Sequence, residues 1–435
     1  MSASSSPSAV RSPLFTLEDA KIAFNIFCCI CGIGSLGMPS NYARAGWGYA
    51  TVALLFMAVS NIYATVLLSK VLMVAPSSVK TYGDLGEWVA GKWGRFFVVV
   101  SHMGVCLLAP CAFLVLGGTL STCSVPIRSD KPCGIIFMAA MVITVALIPT
   151  LKESACIGAA PRFVTLSLAY AAAIVIPDLQ RQHSQPERMP RVIVVSLGLA
   201  SAFFLAIAII GYVAGGCQLS GNLLFSIVNT SDPYSTTTLG FTANRGAVVM
   251  SYLFMQLHLS IAFSTILHPA FYMAERLVLG MHKDDTLPTD SEEREIEIEE
   301  KMSYLDDLSE YKGSVNVVRY VLVRIALIAI LAVASILLKD HFLDLVDFTG
   351  ATAITVCSLI LPLIFYAKVF WRKIPMGEKA ICITISTICG IVGCYVMIYA
   401  GKKLFNPDDD GATFPYCSTE YQDEPYYIRN STVSN

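Results

Sequence analysis

An apolar stretch long enough to cross a membrane, yet broken in its own middle, constrains this chain more than any other feature. Residues Ala23 to Gly48 read AFNIFCCICGIGSLGMPSNYARAGWG, with Gly32, Gly34 and Gly37 at the centre and Pro39 closing the run. Backbone N–H and C=O groups released by a break cost several kcal/mol each in hydrocarbon, so a break at this depth persists only where it lines a polar cavity or a ligand site. Carbonyls from Asn25 to Cys31 end one half-helix with partial negative charge, and exposed N–H groups open the next with partial positive charge. A zwitterion fits between two such ends; a close-packed face of small residues is the alternative for the same glycines.

The rest of the chain supplies the membrane setting. Of 435 residues, 55% are hydrophobic and 14% charged, the mean hydropathy is +0.63, and the apolar residues come in blocks. That composition reads as an all-α polytopic membrane protein in a lipid bilayer. A net charge of −2 and a pI near 6.3 exclude nucleic acid as a partner. Cys28, Cys29 and Cys31 fall inside the apolar helix and read as small buried hydrophobes, so neither a metal nor a cofactor is expected. HExxH, GxSxG and paired intramembrane carboxylates are missing, and no catalytic residue is assigned.

With about twenty apolar residues per crossing, spans are expected near Lys21 to Tyr42, Gly48 to Val74, Phe96 to Leu120, Gly134 to Leu151, Val164 to Leu179, Val192 to Gly215, Ala247 to Met273, Val317 to Leu338, Phe348 to Trp371 and Ala380 to Gly401. The Ser/Pro-rich residues 1–20 read as a disordered cytosolic tail without a cleaved signal peptide, 21–401 as the transmembrane domain, and 402–435 as an extracytosolic tail. Arg11, Lys21, Lys70, Lys80, Lys92 and Arg95 place the N-terminus and the Ser77 to Arg95 loop in the cytosol; Arg372, Lys373 and Lys379 do the same for the loop before the last span. The acidic loop 276–316 is then cytosolic, and the sequons at Asn229 and Asn430 lie outside as glycosylation candidates. Cys123 and Cys133 share an outer loop, where a disulfide and two free thiols both fit.

Polar residues at membrane depth must face protein or water. Tyr252, Gln256, Ser260, Ser264 and His268 recur every fourth residue along the Ala247 to Met273 span and form such a stripe. The other ionisable groups at that depth are His102, His258 and Arg324, with Asp178 and Glu275 near span ends; histidine is the natural proton carrier among them.

Four segments resemble the amino acid/auxin permease group, the amino acid transporter transmembrane family. GIGSLGMPSNYARAGW is similar to its first-span motif, TYGDLGEWVAGKWGR to its loop before the third span, IVIPDLQRQHSQPERMPRV to the end of its sixth span, and DFTGATAITVCSLILPLIFYAK to its tenth. The resemblance implies a LeuT-type fold of two inverted five-helix repeats plus one helix, with substrate held at the breaks of spans one and six. It implies secondary transport of amino acids by alternating access, in the plasma membrane or a vacuolar or lysosomal one. Carried over, it puts Gly32, Ile33, Gly34 and Ser35 at the substrate carboxylate, Tyr170, Ala171 and Ala172 on the opposed wall, and Ser264 and Thr265 beside the ion site. Sodium-coupled members have an asparagine where this chain has Cys28, and a thiol is a poor ligand for hard Na⁺. The expected coupling is therefore to H⁺ rather than Na⁺, with Asn25, Cys28 and His268 as further candidates. An amino-acid sensor signalling through the acidic loop, or a transport-impaired isoform, is the alternative.

One span is unaccounted for. Counting forward puts Lys152 to Arg162 in the cytosol and counting back puts Arg181, Arg188 and Arg191 there too, with only Val164 to Leu179 between them. Inversion against the charge rule, a re-entrant segment and the loss of a span each resolve the conflict. Since LKESACIGAAPRF is too short for the family's fifth span, loss or truncation of that span is the expectation.

Overall fold

The computed structural model describes residues 15–30, 34–76, 79, 81–124, 131–147, 171–181, 183–219, 221–228, 235–237, 239–280 and 314–405. Every regular element of more than one residue among them is helical. Among the described residues, seven helices are long and apolar enough to cross a membrane: Trp47–Val74, Tyr82–Cys123, Pro186–Gly215, Arg245–Leu279, Asn316–Leu337, Asp344–Phe370 and Met376–Lys402. The protein is a multi-pass membrane protein. Lys131–Ala146 is a shorter apolar helix at the expected fourth span. The first part of the Val164 to Leu179 segment, 164–170, lies outside the described residues; its remainder forms a 3₁₀ turn, Ala171–Ile174, and a short helix, Ile176–Arg181.

In chain order the helices are α1 (Leu17–Ile30), α2 (Met38–Ala45), α3 (Trp47–Val74), α4 (Tyr82–Ser124), α5 (Lys131–Ala146), α6 (Ile176–Arg181), α7 (Met189–Gly215), α8 (Leu223–Ile227), α9 (Arg245–Ala274), α10 (Ser314–Leu337), α11 (Phe342–Thr349), α12 (Leu361–Phe370) and α13 (Met376–Phe405). A π-helical segment, Gly350–Ile360, joins α11 to α12 in one continuous span. Helices α1 and α4 each begin at a reciprocal cap: the Thr16 and Thr81 hydroxyls accept the N–H groups of Asp19 and Asp84, whose carboxylates accept the threonine N–H groups in return.

Two expectations are corrected here, and one open alternative is settled. The Ser77 to Arg95 segment is helical from Tyr82 onward, and only Gly91, at φ 67°, interrupts it; a residue without Cβ tolerates that angle and lets the amphipathic first turns bend away from the apolar length of α4. The acidic loop starts later and ends sooner than 276–316, because Glu275–Leu279 forms a π-helical turn continuing α9 and α10 begins at Ser314. Cys123 and Cys133 are free thiols, the first buried and the second exposed.

Packing sorts the helices into two groups. In one, α7 lies against α1, α2 and α3, while Ala171–Ile174 touches α1 and α6 touches α3; in the other, α4, α5, α9 and α10 pack on one another. The π segment touches α3 and Ala171–Ile174 of the first group and α4 of the second.

Candidate functional site

The first span is broken. Helix α1 stops at Ile30, and the chain resumes helical geometry at Gly34, whose φ of −61° leads into a 3₁₀ turn, Ser35–Gly37, and then α2. Pro39 sits in the first turn of α2, where its missing N–H costs no helical hydrogen bond. The break is held rigidly from outside. Gly211 of α7 lies against Pro39, so close that a Cβ on Gly211 would stand 2.7 Å from the Pro39 Cβ. The Tyr42 hydroxyl accepts from Thr51 at 2.9 Å, tying α2 to α3. Ser35, Leu36 and Gly37 are buried, and the Ser35 Oγ has no hydrogen-bond partner among the described residues.

An apolar crevice of about 490 Å³ lies on the other side of Gly211. Ile207, Ile210, Leu219, Leu223 and Phe241 line it, and such walls offer no partner to a charged group.

The start of α1 is clamped to the segment that follows α6. Gln185 donates its N–H to His183 Nδ1 at 2.9 Å, which leaves Nε2 as the protonated nitrogen; it lies 2.8 Å from Asp19 Oδ1. Arg188 Nε lies 3.2 Å from Asp19 Oδ2, and Ser184 donates both its N–H and its hydroxyl to Glu18. Burial by itself raises the Asp19 carboxyl, but the bonds from Thr16 and His183 and the Arg188 charge outweigh it and hold the group below the usual carboxylate range. The Ser184 bonds lower Glu18 likewise. Carboxyls depressed by folding stabilise fully above their ordinary values and lose that contribution as pH falls through the lowered ones. The melting temperature of the detergent-solubilised protein is expected to hold level down to about pH 5 and fall below about pH 4. Asp19→Asn with Glu18→Gln should melt lower at neutral pH and show a shallower fall; an unchanged profile would contradict the clamp.

Residues 20–159 and 160–405 match the family described as transmembrane amino acid transporter protein. The chain belongs to that family. Among similar proteins of Arabidopsis thaliana are "Amino acid transporter AVT1I", 38% identical over 98 residues, and "Amino acid transporter AVT1D", 24% identical over 234 residues. "Amino acid transporter AVT3B" is 32% identical over 111 residues. These alignments cover 22%, 43% and 24% of this chain and 24%, 42% and 26% of the relatives. The chain thus aligns with less than half the length of each. The family is one of membrane transporters, not of enzymes.

Within this family member the expected site residues are placed as follows. Gly34 and Ser35 open the second half of the broken helix, and Ala172 is fully buried in the 3₁₀ turn that packs against α1; Ala171 begins that turn. Gly32, Ile33, Tyr170, the Cys28 side chain and the sequons at Asn229 and Asn430 lie outside the described residues. Asn25 is partly buried on α1, five residues before its end. Ser264 and Thr265 donate to Ser260 O and Ile261 O in their own helix at 3.2 and 2.9 Å, which uses each hydroxyl's proton and leaves its oxygen lone pairs. His268 is partly buried just before Pro269. The polar stripe of α9 faces protein: Tyr252 donates to Leu224 O and Gln256 to Ser121 Oγ of α4.

Two features escaped the sequence reading. The clamp joins residues far apart in the chain, and only its Thr16-to-Asp19 cap had a readable signal. Glu275 and Arg324, noted only as separate ionisable groups, form a buried pair at 2.7 Å, both fully inaccessible. Arg324 also donates to Ala146 O at 3.1 Å and lies 5.1 Å from the ring centres of both Phe271 and Tyr320. The pair fastens the end of α9 to α10 and α5.

Proposed function

We propose that the protein carries amino acids across a membrane by alternating access about the break between Ile30 and Gly34, coupled to protons rather than sodium. The observation that carries this reading is the broken first span, seated on Gly211 and presenting an unpartnered buried Ser35 hydroxyl. The two packing groups support it, since one can rock against the other around the break, in the manner of a LeuT-type bundle and scaffold. Family membership and the names of the relatives support amino acids as the substrate class. Cys28 stands where an oxygen ligand would, which supports a site without sodium. In proteoliposomes, uptake of a labelled amino acid panel should be stimulated by an inward proton gradient and unchanged when choline replaces Na⁺ at fixed pH. Collapse of uptake in choline would overturn the coupling; absence of uptake for every amino acid would overturn transport.

A specific observation favours a second reading, a transport-impaired form lacking its fifth span. The family match divides between Ala159 and Ala160, inside the LKESACIGAAPRF stretch that is too short for that span. Epitope tags after Met189 and at the C-terminus, read in intact cells, test it: a Met189 tag exposed together with the tail would contradict a lost span.

A further inference from the structure

Hydroxyls along these helices are typically spent on their own backbone. Ser101, Ser196, Ser264, Thr265, Ser335 and Thr349 each donate to the carbonyl four residues earlier. Thr65 and Ser69 of α3 do not. They are 1% and 0% exposed, and neither Oγ has a partner among the described residues. Four residues apart, they share one face of the helix. Gln180 of α6 reaches that face: it donates Nε2 to the Ser69 carbonyl at 3.1 Å and leaves its own Oε1 buried without a partner. Ser358, also fully buried and unpartnered, lies in the π segment that packs against both α3 and Ala171–Ile174.

Each of these oxygens costs about 1–3 kcal/mol if it stays dry. Hydroxyls and an amide oxygen together offer the two to four hydrogen bonds that hold a buried water. A bare cation is the worse occupant, because none of the four groups carries the charge needed to repay its desolvation. We propose that the seam between α3, α6 and the π segment holds ordered water and opens toward the Gln180 end of α3. One end of it reaches the half-helix that leads to the break, since Ala171–Ile174 touches α1 as well as the π segment. On the proton-coupled reading above, on which this last step rests, the water-filled seam is the proton's route between the break and the cytosol.

The test is thiol accessibility. Ser69→Cys and Ser358→Cys are treated separately from the cytosolic side with a small water-borne thiol reagent, methanethiosulfonate ethylammonium. Ser196→Cys, whose native hydroxyl is back-bonded and buried, serves as the dry control, and the unsubstituted protein gives the background of native thiols. Labelling at both seam positions about ten-fold faster than at the control is expected, because thiol reactivity follows access to water. Rates equal to the control in correctly folded protein, judged by an unshifted size-exclusion profile, would overturn the proposal. Thr65→Val with Ser69→Ala should also slow substrate-driven proton uptake while leaving substrate binding unchanged. Fast labelling without that slowing keeps the water-filled seam and overturns only the proton route. Fast labelling in a protein that proves sodium-coupled keeps the seam and overturns only the coupling.

Discussion

Arg324→Ala is expected to destabilise the protein by about 3–5 kcal/mol, because it removes the cation 2.7 Å from the buried Glu275 carboxylate, along with its contacts to the Phe271 and Tyr320 rings. The position explains the size. Arg324 stands ten residues inside α10, about 15 Å along the helix from its first residue, and its guanidinium is wholly inaccessible. Glu275→Ala should cost a similar amount by stranding the positive charge. Replacing both residues with Met is expected to cost less than either single change, since no unpaired charge remains and two apolar chains fill the space. Thermal melts of the three variants in one detergent decide the matter. Single variants as stable as the parent would mean that the pair contributes little to holding α5, α9 and α10 together.

Gly211→Val should abolish uptake at the break without touching any residue that meets substrate. Even the first added carbon would lie 2.7 Å from the Pro39 Cβ, and valine brings two more methyl groups on a stiff side chain. Overpacking of this kind costs about 1–3 kcal/mol where the neighbours can shift. The neighbour here is a proline at the start of α2, so the shift displaces the half-helix whose N-terminal end faces the break. Uptake should be lost with surface expression retained, and Gly211→Ala should fall between valine and the parent. Normal uptake by Gly211→Val would mean that α2 is not seated on α7 in the working molecule.

The break itself was legible because glycines and a proline interrupt a membrane-length apolar run, and backbone freed at that depth must be satisfied by surrounding protein or by a polar cavity. Pro39 reads equally well as the end of one helix or the first turn of the next, and only its contact with Gly211 decides between them. The stripe from Tyr252 to Ser264 was legible as a buried face, since a four-residue period is a geometric property of one helix. What it faces was not: Ser121 lies 135 residues away, and its pairing with Gln256 is a tertiary fact. Ser264 and Thr265 show the same limit, because sequence does not tell that their protons go to the preceding turn. The helix from Tyr82 was hidden by its charges, which belong to an amphipathic turn and resemble a loop in composition.

The span from Phe342 to Phe370 changes gear along its length. In its π segment each N–H reaches one residue further back than in an α-helix, and Thr355 follows the same step by donating to Gly350 O. Side chains after the segment therefore point in a different rotational phase from those before it. The first half, α11, packs on α4 and α13, while the second half, α12, packs most on α3 besides α4 and α13. A uniform α-helix would carry one phase throughout and would have to bend to serve both sets of neighbours. Passing a residue into or out of the wide turns rotates one half against the other while the backbone stays bonded, so a single span can follow two partners that move differently.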